Sequence, residues 1–302
     1  MAPGADIAPA PRHAVAGDVD VEPTPRSDRR AASHHRHGRL SATLARRRGR
    51  TVLVGQEIAF PAGTVRLLDH DGDGVPELQQ TAPAGGLLGG DALDVAVRLE
   101  DGVRASLATQ GANRVYRPAD GRTATRLTTT VTVADGAIAE WVPHHLLPYP
   151  GARVRQRTAI DVAPDAGLLA WESLSAGRSA RGERFAWSLL DTRLRIARAG
   201  APLLLDGAIL AGDDREPFDG ADLCATVALV LPRDGAPALA DELHAALTAA
   251  PAVLGGASAP APDLVVGRLL ARDVPALYGA LGAARRIGRR ALGLPPARRS
   301  VS

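Results

Sequence analysis

Apolar and polar residues alternate along much of the chain from residue 51 onward, with the period of two that is typical of half-buried β-strands. Val95, Val97 and Leu99 alternate with less apolar neighbours, and the same pattern returns in three later segments. These segments cover residues 126–133, 153–162 and 193–196. Each one is followed by a short turn that contains glycine and then by a second apolar stretch. The pattern therefore predicts pairs of strands joined as hairpins.

The strand pairs return at a loose interval along the chain. Equivalent positions are 34, 29 and 34 residues apart, measured at Val97, Val131, Ile160 and Leu194. A repeat of about 30 residues that is built from strands indicates a stacked or helically wound β body. No amphipathic pattern of helical length is found between residues 51 and 230.

Helical periodicity begins only near the end of the chain. Leu239, Leu243 and Leu247 are spaced four apart and predict a helix over residues 237–249. A second, basic amphipathic helix is predicted over residues 274–294, because an aspartate precedes it and a Pro-Pro pair follows it.

Apolar runs flank the first of these helices. Residues 224–231 and 263–271 are predicted strands, so residues 224–294 form a strand–helix–strand–helix unit that is expected to pack on one end of the β body. The predicted fold class is therefore all-β dominated. It consists of β-helix-like stacked strand pairs with two α-helices of the C-terminal region packed on the body.

The first part of the chain has a different composition. Residues 1–38 are rich in Pro, Ala, Asp, Arg and His and lack apolar periodicity, which is typical of disorder. We expect a tail over residues 1–50, a first strand near residue 51 and a single β domain over 51–302. A short histidine tract in the tail can bind a transition metal weakly, although a solvated tail is the preferred interpretation: His34, His35 and His37.

The formal net charge of +3 conceals an uneven distribution of charge along the 302 residues. Every basic residue other than histidine is arginine. Residues 1–50 hold ten Arg against five acids, and residues 285–302 hold six Arg and no acid, which leaves a net charge of −8 on residues 51–284. A uniformly basic protein would suggest nucleic acid or anionic lipid as a partner. The acidic body suits a divalent cation instead, so neither a nucleic acid nor a membrane is expected as a partner.

Cysteine usage and hydropathy indicate the compartment. The single cysteine, Cys224, excludes a disulfide framework and a metal site built from several cysteines. No apolar run reaches about 18 residues, and the N-terminal residues lack the continuous apolar stretch that is typical of a secretory signal. A cytoplasmic location is expected.

Residues 69–74 begin like a calcium loop. Asp69, Asp71 and Asp73 occupy positions 1, 3 and 5 of an EF-hand loop, and Gly74 occupies position 6. Position 12 is Gln80, which lacks the bidentate carboxylate of such loops, and a β-turn requires the same Asp and Gly residues. An all-β module that binds calcium or carbohydrate through the Asp69–Gly74 loop is therefore the alternative function.

No residues form a recognisable catalytic set. Ser173, Ser175 and Ser179 are not in a G-x-S-x-G turn, and nothing resembles a nucleotide-binding fingerprint. The adjacent pair His144 and His145 could bind a metal, but neighbouring residues of a strand point to opposite faces, which favours a turn or interface role. The sequence therefore favours a binding or assembly protein over an enzyme.

Several carboxylates stand inside apolar strand patterns, where an unpaired charge is costly. They are Asp91, Asp94, Glu140, Glu172 and Asp206. For each residue alone, an ion pair with one of the many arginines is a sufficient explanation. Together they suggest a polar interior path that accepts cations.

Six short motifs, in order along residues 51–294, resemble the UreD (UreH) family of urease accessory proteins. They are GGLLGGD at 85–91, TQGANRVYR at 109–117, EWVP at 140–143, PGAR at 150–153, LLAWE at 168–172 and GR followed by RGERF at 177–185. The motif residues expected to have a structural role are Gly85, Gly86, Gly89, Gly90, Gln110, Tyr116, Arg117, Trp141, Trp171 and Arg178.

The resemblance implies a non-enzymatic role in urease maturation. Proteins of this family bind the urease apoprotein together with UreF and the GTPase UreG, and they help to deliver nickel, which is thought to travel through an internal tunnel. The tunnel positions match Asp91, Glu172 and Asp206, with Asn113 in place of a small hydroxyl residue. Secondary candidates are Asp94, Glu140 and Glu183. The resemblance implies transient Ni²⁺ without a tightly bound cofactor, since oxygen ligands hold nickel loosely.

Two features depart from the family pattern. Asn113 is one of them, and the other is the Arg-rich end of the chain, which replaces an apolar ending. The second departure puts a C-terminal partner contact in question.

Overall fold

The computed structural model describes residues 35–64, 67–69, 72–212, 214–215 and 218–297. The expected tail up to residue 34, including His34, lies outside the described residues.

The described residues form two large sheets and two helices. The first ten strands are β1 (His37–Arg47), β2 (Arg50–Ala59), β3 (Gly63–Thr64), β4 (Glu77–Thr81), β5 (Ala92–Leu99), β6 (Arg104–Thr109), β7 (Asn113–Val115), β8 (Thr125–Val133), β9 (Ile138–Trp141) and β10 (Leu146–Pro148). The later strands are β11 (Arg153–Val162), β12 (Gly167–Ser175), β13 (Gly177–Arg178), β14 (Glu183–Arg184), β15 (Leu189–Arg198), β16 (Ala201–Ala211), β17 (Leu223–Val230), β18 (Val253–Ala261) and β19 (Leu264–Ala271). The helices are α1 (Ala236–Thr248) and α2 (Val274–Ala291), and a 3-10 helix spans Ser179–Arg181.

The first sheet has seven strands in the order β16-β15-β11-β8-β5-β1-β2. Its interior strands are parallel, whereas the pairs at its two edges, β1–β2 and β15–β16, are antiparallel. The second sheet runs in the order β18-β19-β17-β12-β9-β6-β4-β3, with β7 and β10 beside this path. Its strands β4, β6, β9 and β12 are parallel to one another. β13 and β14 pair separately as a two-stranded sheet.

The chain winds between the two sheets as a coil. Along β5, β6, β8, β9, β11 and β12 the chain alternates between the first and the second sheet, so each turn adds one parallel strand to each. The short strands β7 and β10 lie between these turns, beside the second sheet. Val131 pairs with Val97 on one side and with Ile160 on the other, as the repeat predicted. Ile160 then pairs with Ile196 and not with Leu194, so the last interval was wrong by two residues. The predicted all-β, β-helix-like class with two helices is confirmed.

The prediction that the glycine turns close hairpins was wrong for most of the repeats. β5 and β6, on either side of Gly102, lie in different sheets, and the same holds for β8 and β9 on either side of Gly136. Both glycines have a left-handed backbone, with φ of 65° and 64°. Gly102 donates its N–H to the carbonyl of Asp135, which lies in the neighbouring corner between β8 and β9. A corner and a hairpin need the same positive φ, so the turn residues alone do not distinguish them. Among the described strands of these repeats, only β15 and β16 form the expected hairpin.

The predicted start of the folded chain near residue 51 was also wrong. β1 begins at His37 and pairs in parallel with β5 and antiparallel with β2. Leu40, Ala42 and Leu44 are all buried on one face of β1. This alternation was present in the sequence, but the surrounding arginines and histidines obscured it.

Two apolar layers stabilise the fold. Alternation along β12 directs Leu168 and Ala170 into the core between the sheets, and Leu169 and Trp171 into the core beneath the helices. Burial of such apolar area is the main stabilising contribution to a fold of this kind.

The C-terminal unit extends the second sheet and covers its outer face. β17 and β19 pair antiparallel in that sheet, α1 packs on β18 and β19, and α2 packs on β17. Both predicted helices are confirmed within a few residues, and the Asp273 carboxylate caps α2 by accepting a hydrogen bond from Ala276 N–H at 2.8 Å. β18 was not predicted. Neither helix is long and apolar enough to cross a membrane.

Candidate functional site

A large cavity lies between the two sheets, close to the strands β16 and β18 at their edges. Its volume is about 480 Å³, and both sheets contribute to its walls. Asp206 of β16 and Glu172 of β12 line it together with Thr226 and Arg268. Arg268 is 66% exposed and Asp206 is 21% exposed, so this part of the wall reaches solvent.

A second, much smaller cavity adjoins the first. Its volume is about 30 Å³, and it shares Gln156, Glu172 and Ser173 with the large cavity. Asn113 and His144 line its other side. A cavity of this size holds only about two water molecules.

A third cavity of about 320 Å³ follows on the far side of Asn113. It shares Gln80, Thr109 and Asn113 with the small cavity, and Gln110 lines it as well. Asp206, Glu172 and Asn113 therefore line a row of three adjoining cavities, in that order.

Strand register explains why the cavity residues line up. In the first sheet, neighbouring strands bring five lining residues side by side, in the order Val95, Thr129, Thr158, Leu194 and Asp206. In the second sheet, Glu172, Thr226 and Arg268 are register partners. Both rows cross the strands and so follow the axis of the coil.

Glu172 lies inside the protein, between the large and the small cavity. Its carboxylate accepts a hydrogen bond from Thr158 Oγ1 at 2.5 Å and another from the amide of Gln156. Desolvation raises the pKa of Glu172, and the two hydrogen bonds offset only part of this increase. No ion pair to Glu172 is found in the described part of the chain.

Asp206 faces Glu172 from the opposite sheet. Its carboxylate accepts a hydrogen bond from Thr226 Oγ1 at 2.7 Å and forms an ion pair with Arg268 Nη2 at 2.6 Å. Cys224 lines the same cavity, whereas the sequence suggested a small hydrophobic role in an apolar strand. Burial, with a further contribution from the Asp206 charge, raises the pKa of the Cys224 thiol to about 12.

Asn113 is the first residue of β7, and its backbone N–H donates to the carbonyl oxygen of His145. The neighbouring His144 lines the small cavity, while His145 Nδ1 lies 2.9 Å from Tyr278 Oη. Both rings pack against Tyr278, with ring centroids 5.6 Å away for His144 and 6.0 Å away for His145. That the two histidines do not share one ion stays a prediction. Ser173 Oγ, also in the cavity wall, is buried and has no hydrogen-bond partner among the described residues.

Asp91 lies apart from the cavities, in an ion pair with Arg36. The Arg36 guanidinium Nη2 lies 2.8 Å from one carboxylate oxygen, and the backbone N–H groups of Arg36 and Leu88 donate to the carboxylate at 2.9 and 3.0 Å. Asp91 is 1% exposed, and its oxygens are occupied by these donors. Its position in a nickel path stays a prediction that these contacts do not favour.

The three secondary candidates also have basic partners. Asp94 lies 2.6 Å from His37, Glu140 is paired with Arg285 and Arg289, and Glu183 is paired with Arg178. Glu140 lies beneath α2, on the face of β9 opposite to Trp141 in the small cavity.

The glycine motif at residues 85–90 is a closely packed crossing. A Cβ on Gly86 would lie 2.8 Å from the ring of Tyr116, and a Cβ on Gly89 would lie 2.0 Å from the nitrogen of Pro118. Gly85 and Gly90 also have positive φ. The motif therefore determines the backbone path that leads into β5.

Other motif residues support the same region through their side chains. Tyr116 packs edge-on against Tyr149 with ring centroids 4.6 Å apart, and the guanidinium of Arg178 lies 4.3 Å from the centre of the Tyr149 ring. Trp171 donates its indole N–H to the carbonyl of Pro143 at 2.9 Å. Arg117 packs against Gly151 at the turn before β11, where a Cβ on Gly151 would lie 3.3 Å from the Cβ of Arg117.

The described carboxylates of the alternative calcium loop, Asp69 and Asp73, already have other partners. One Asp73 oxygen accepts the Val75 N–H, and the other pairs with Arg289 at 3.0 Å. Asp69 accepts the Asp73 N–H, and Asp71 lies outside the described residues. No group of three or more His, Cys, Asp or Glu residues able to hold a metal ion is found within the described ranges.

Comparison with known families identifies the family of this chain. The sequence profile described as "UreD urease accessory protein" matches residues 36–302. The chain belongs to the UreD urease accessory protein family. The resemblance based on six motifs is thereby confirmed, and the UreD match begins next to β1.

Several curated UreD proteins are similar to the chain. The urease accessory protein UreD of Ruegeria sp. is 33% identical over 284 residues, which cover 90% of this chain and 91% of that protein. The UreD of Alkalilimnicola ehrlichii is 32% identical over 262 residues, covering 86% and 88% of the two chains. The UreD of Dechloromonas aromatica is 31% identical over a shorter stretch of 201 residues, covering 65% of this chain and 69% of that protein.

Proposed function

We propose that this UreD-family chain is a non-enzymatic scaffold that assists the delivery of nickel to the urease apoprotein, in a cytoplasmic complex with UreF and the GTPase UreG. Nickel is the cargo, and the row of three adjoining cavities is its route. The observation that supports this most directly is the position of Glu172, a carboxylate inside the protein that faces two adjoining cavities.

The hydrogen bonds of Glu172 suit a passing cation. Its donors, Thr158 and Gln156, are neutral, whereas the other carboxylates predicted for the path all have basic partners. A carboxylate that is held by neutral donors keeps its negative charge available to a cation. Desolvation disfavours that charge, and an arriving divalent ion would compensate for it.

The spacing of donors suits transfer better than storage. Oxygen donors from Asp206, Glu172 and Asn113 follow one another along the cavities and do not converge on one point. Nickel binds imidazole and thiolate more tightly than carboxylate or amide oxygen. A route of separated oxygen donors therefore releases the ion readily at each step.

Co-expression with urease tests the proposal. Urease subunits, UreF and UreG would be produced with the wild-type chain, with Glu172→Gln or without the chain, and nickel per urease would be measured. We expect full nickel content only with the wild type, because glutamine keeps the shape of the side chain but removes its charge. Glu242→Gln, at an exposed ion pair with Arg290, is the matched control.

Two results would argue against the proposal. Urease with a normal nickel content in the absence of the chain would remove the delivery role altogether. A Glu172→Gln chain that no longer co-purifies with its partners would indicate a structural role for Glu172 instead of a place on the route.

A further inference from the structure

His144 stands at the narrowest part of the cavity row, between the ends of two strands. It belongs to the segment that joins β9 to β10, and its backbone N–H donates to Thr109 Oγ1 at 2.9 Å. His144 and Glu172 both line the small cavity, and the His144 ring packs edge-on against Tyr278 with centroids 5.6 Å apart. The sequence indicates this residue as a possible metal ligand, and it is not among the oxygen donors of the proposed route.

The hydrogen bonds of the ring define its tautomer. His144 Nδ1 lies 2.8 Å from the backbone carbonyl oxygen of Thr109, which can only accept a hydrogen bond. The Thr109 hydroxyl donates to the carbonyl of Gly111 at 3.1 Å, so its proton is directed away from the ring. Nδ1 therefore carries the ring proton, and the lone pair is on Nε2.

This is the arrangement found in metal-binding histidines, which donate one ring N–H to a carbonyl or carboxylate and bind the metal through the other nitrogen. No described residue forms a hydrogen bond with Nε2 of His144. His145 differs, because its Nδ1 contacts Tyr278 Oη and its ring does not line the small cavity.

The size of the small cavity gives a reason for a nitrogen donor there. With about 30 Å³ available, the cavity has room for only about two waters, so a hydrated ion must lose part of its shell. Protein atoms must then replace the lost waters. Imidazole is a better ligand for nickel than carboxylate, and one imidazole beside one carboxylate still leaves the ion exchangeable.

We propose that His144 Nε2 is a nickel contact in the small cavity and acts together with the Glu172 carboxylate while the ion passes. The inference rests on the proposed delivery function and adds a nitrogen ligand to a route that otherwise offers oxygen donors.

The test compares His144→Asn with His145→Asn in the full chain. The asparagine amide at position 144 can still donate to the Thr109 carbonyl but has no atom at the position of Nε2. With limiting nickel, we expect the rate of urease activation to fall at least about tenfold for His144→Asn, because even the loss of a residue that only supports a metal ligand has an effect of this size, and to remain unchanged for His145→Asn. Excess nickel should restore the rate.

A second measurement is independent of urease. Calorimetric titration of the full chain with nickel chloride should show weak binding with a component at the small cavity that is lost in His144→Asn and retained in His145→Asn. If the His144→Asn chain fails to fold, His144→Gln replaces it in both measurements, because its amide oxygen is a weaker ligand near the position of Nε2.

The outcomes separate the two proposals. A His144 variant that folds and matches the wild type in both measurements would overturn the His144 contact and leave the delivery function standing. A His144-dependent nickel site in a chain that never raises urease nickel content would support the contact and overturn the delivery function.

Discussion

Arg285 and Glu140 form a buried, two-pronged ion pair that connects α2 to β9, with Nε and Nη2 each 2.9 Å from a carboxylate oxygen. Arg289 lies 3.4 Å from the same carboxylate and also pairs with Asp73. Glu140 is fully buried and Arg289 is 2% exposed, so these charges depend on one another. The C-terminal helix is therefore held to the second sheet by charge as well as by apolar packing.

Removal of Glu140 should be strongly destabilising. Glu140→Gln leaves two buried guanidinium groups without their shared carboxylate, and breaking a buried pair in this way costs about 3–5 kcal/mol. Urea denaturation followed by circular dichroism measures the change. Glu242→Gln removes an exposed partner of Arg290 and should cost no more than about 1 kcal/mol. Equal losses in the two variants would contradict the coupling inferred for the buried cluster.

The stability of the protein should fall in mild acid, in part because of His145. Burial, followed by the effect of the neighbouring His144, lowers the pKa of His145 to about 4. The unfolded chain binds this proton near pH 6.5, so the free energy of unfolding decreases as the pH falls from about 6.5 to about 4. The contribution is about 3 kcal/mol across this window.

Urea denaturation at several pH values would measure this dependence in the wild type and in His145→Asn. Between pH 6.5 and 4, the slope of the free energy of unfolding against pH should be smaller in the variant by the contribution of about one bound proton. An identical slope in both proteins would show that His145 is not the group responsible.

Gly89 should not tolerate a methyl group. The Cβ of Gly89→Ala would lie 2.0 Å from Pro118 N and 2.1 Å from Pro118 Cα, and neither backbone atom can move without displacing the segment that joins β7 to β8. We expect a loss of at least about 3 kcal/mol. Gly279→Ala is the control, because an added Cβ there contacts nothing within 4 Å and alanine favours an exposed helix by about 1 kcal/mol. Thermal unfolding should move in opposite directions for the two variants, and a stable Gly89→Ala would disprove the close crossing.

Arg268 should limit the access of cations to Asp206. Arg268→Gln removes an exposed ion pair and leaves the Asp206 carboxylate with only the Thr226 hydrogen bond. We expect nickel affinity in a calorimetric titration to rise by up to about fivefold, the range that such exposed pairs span. Arg290→Gln removes a comparable exposed pair away from the cavities and should have no effect. A fall in affinity for Arg268→Gln would mean that Arg268 does not compete with the cation.

The coil could be predicted from the sequence because its signal is local. Val97, Val131 and Ile160 were aligned from spacing alone, and the sheet pairs them as expected. The alignment failed at Leu194, since an irregular segment with β13, a 3-10 helix and β14 precedes β15 and has no periodic pattern to count.

The candidate site could be predicted only in part because its contacts join distant residues. Glu172, Asp206 and Asn113 were all singled out, and all three line the cavities. Asp91 is equivalent to these residues in its sequence context, but its partner Arg36 lies 55 residues away on a segment whose composition predicts a tail. Gln156 and Thr158 donate hydrogen bonds to Glu172 because the two sheets face each other there. The spacing of residues along the sequence does not show which residues of the two sheets face each other.

The register of the first sheet also sets the distances between side chains along the cavity row. The row from Val95 to Asp206 crosses five neighbouring strands, and strands lie about 4.8 Å apart, so the row measures roughly 19 Å along the coil. Each additional turn would lengthen the cavity row by one strand spacing and leave every existing side chain on its own face. Distance along the interior is therefore set in fixed steps by the number of turns, while the side chain at each step sets the chemistry.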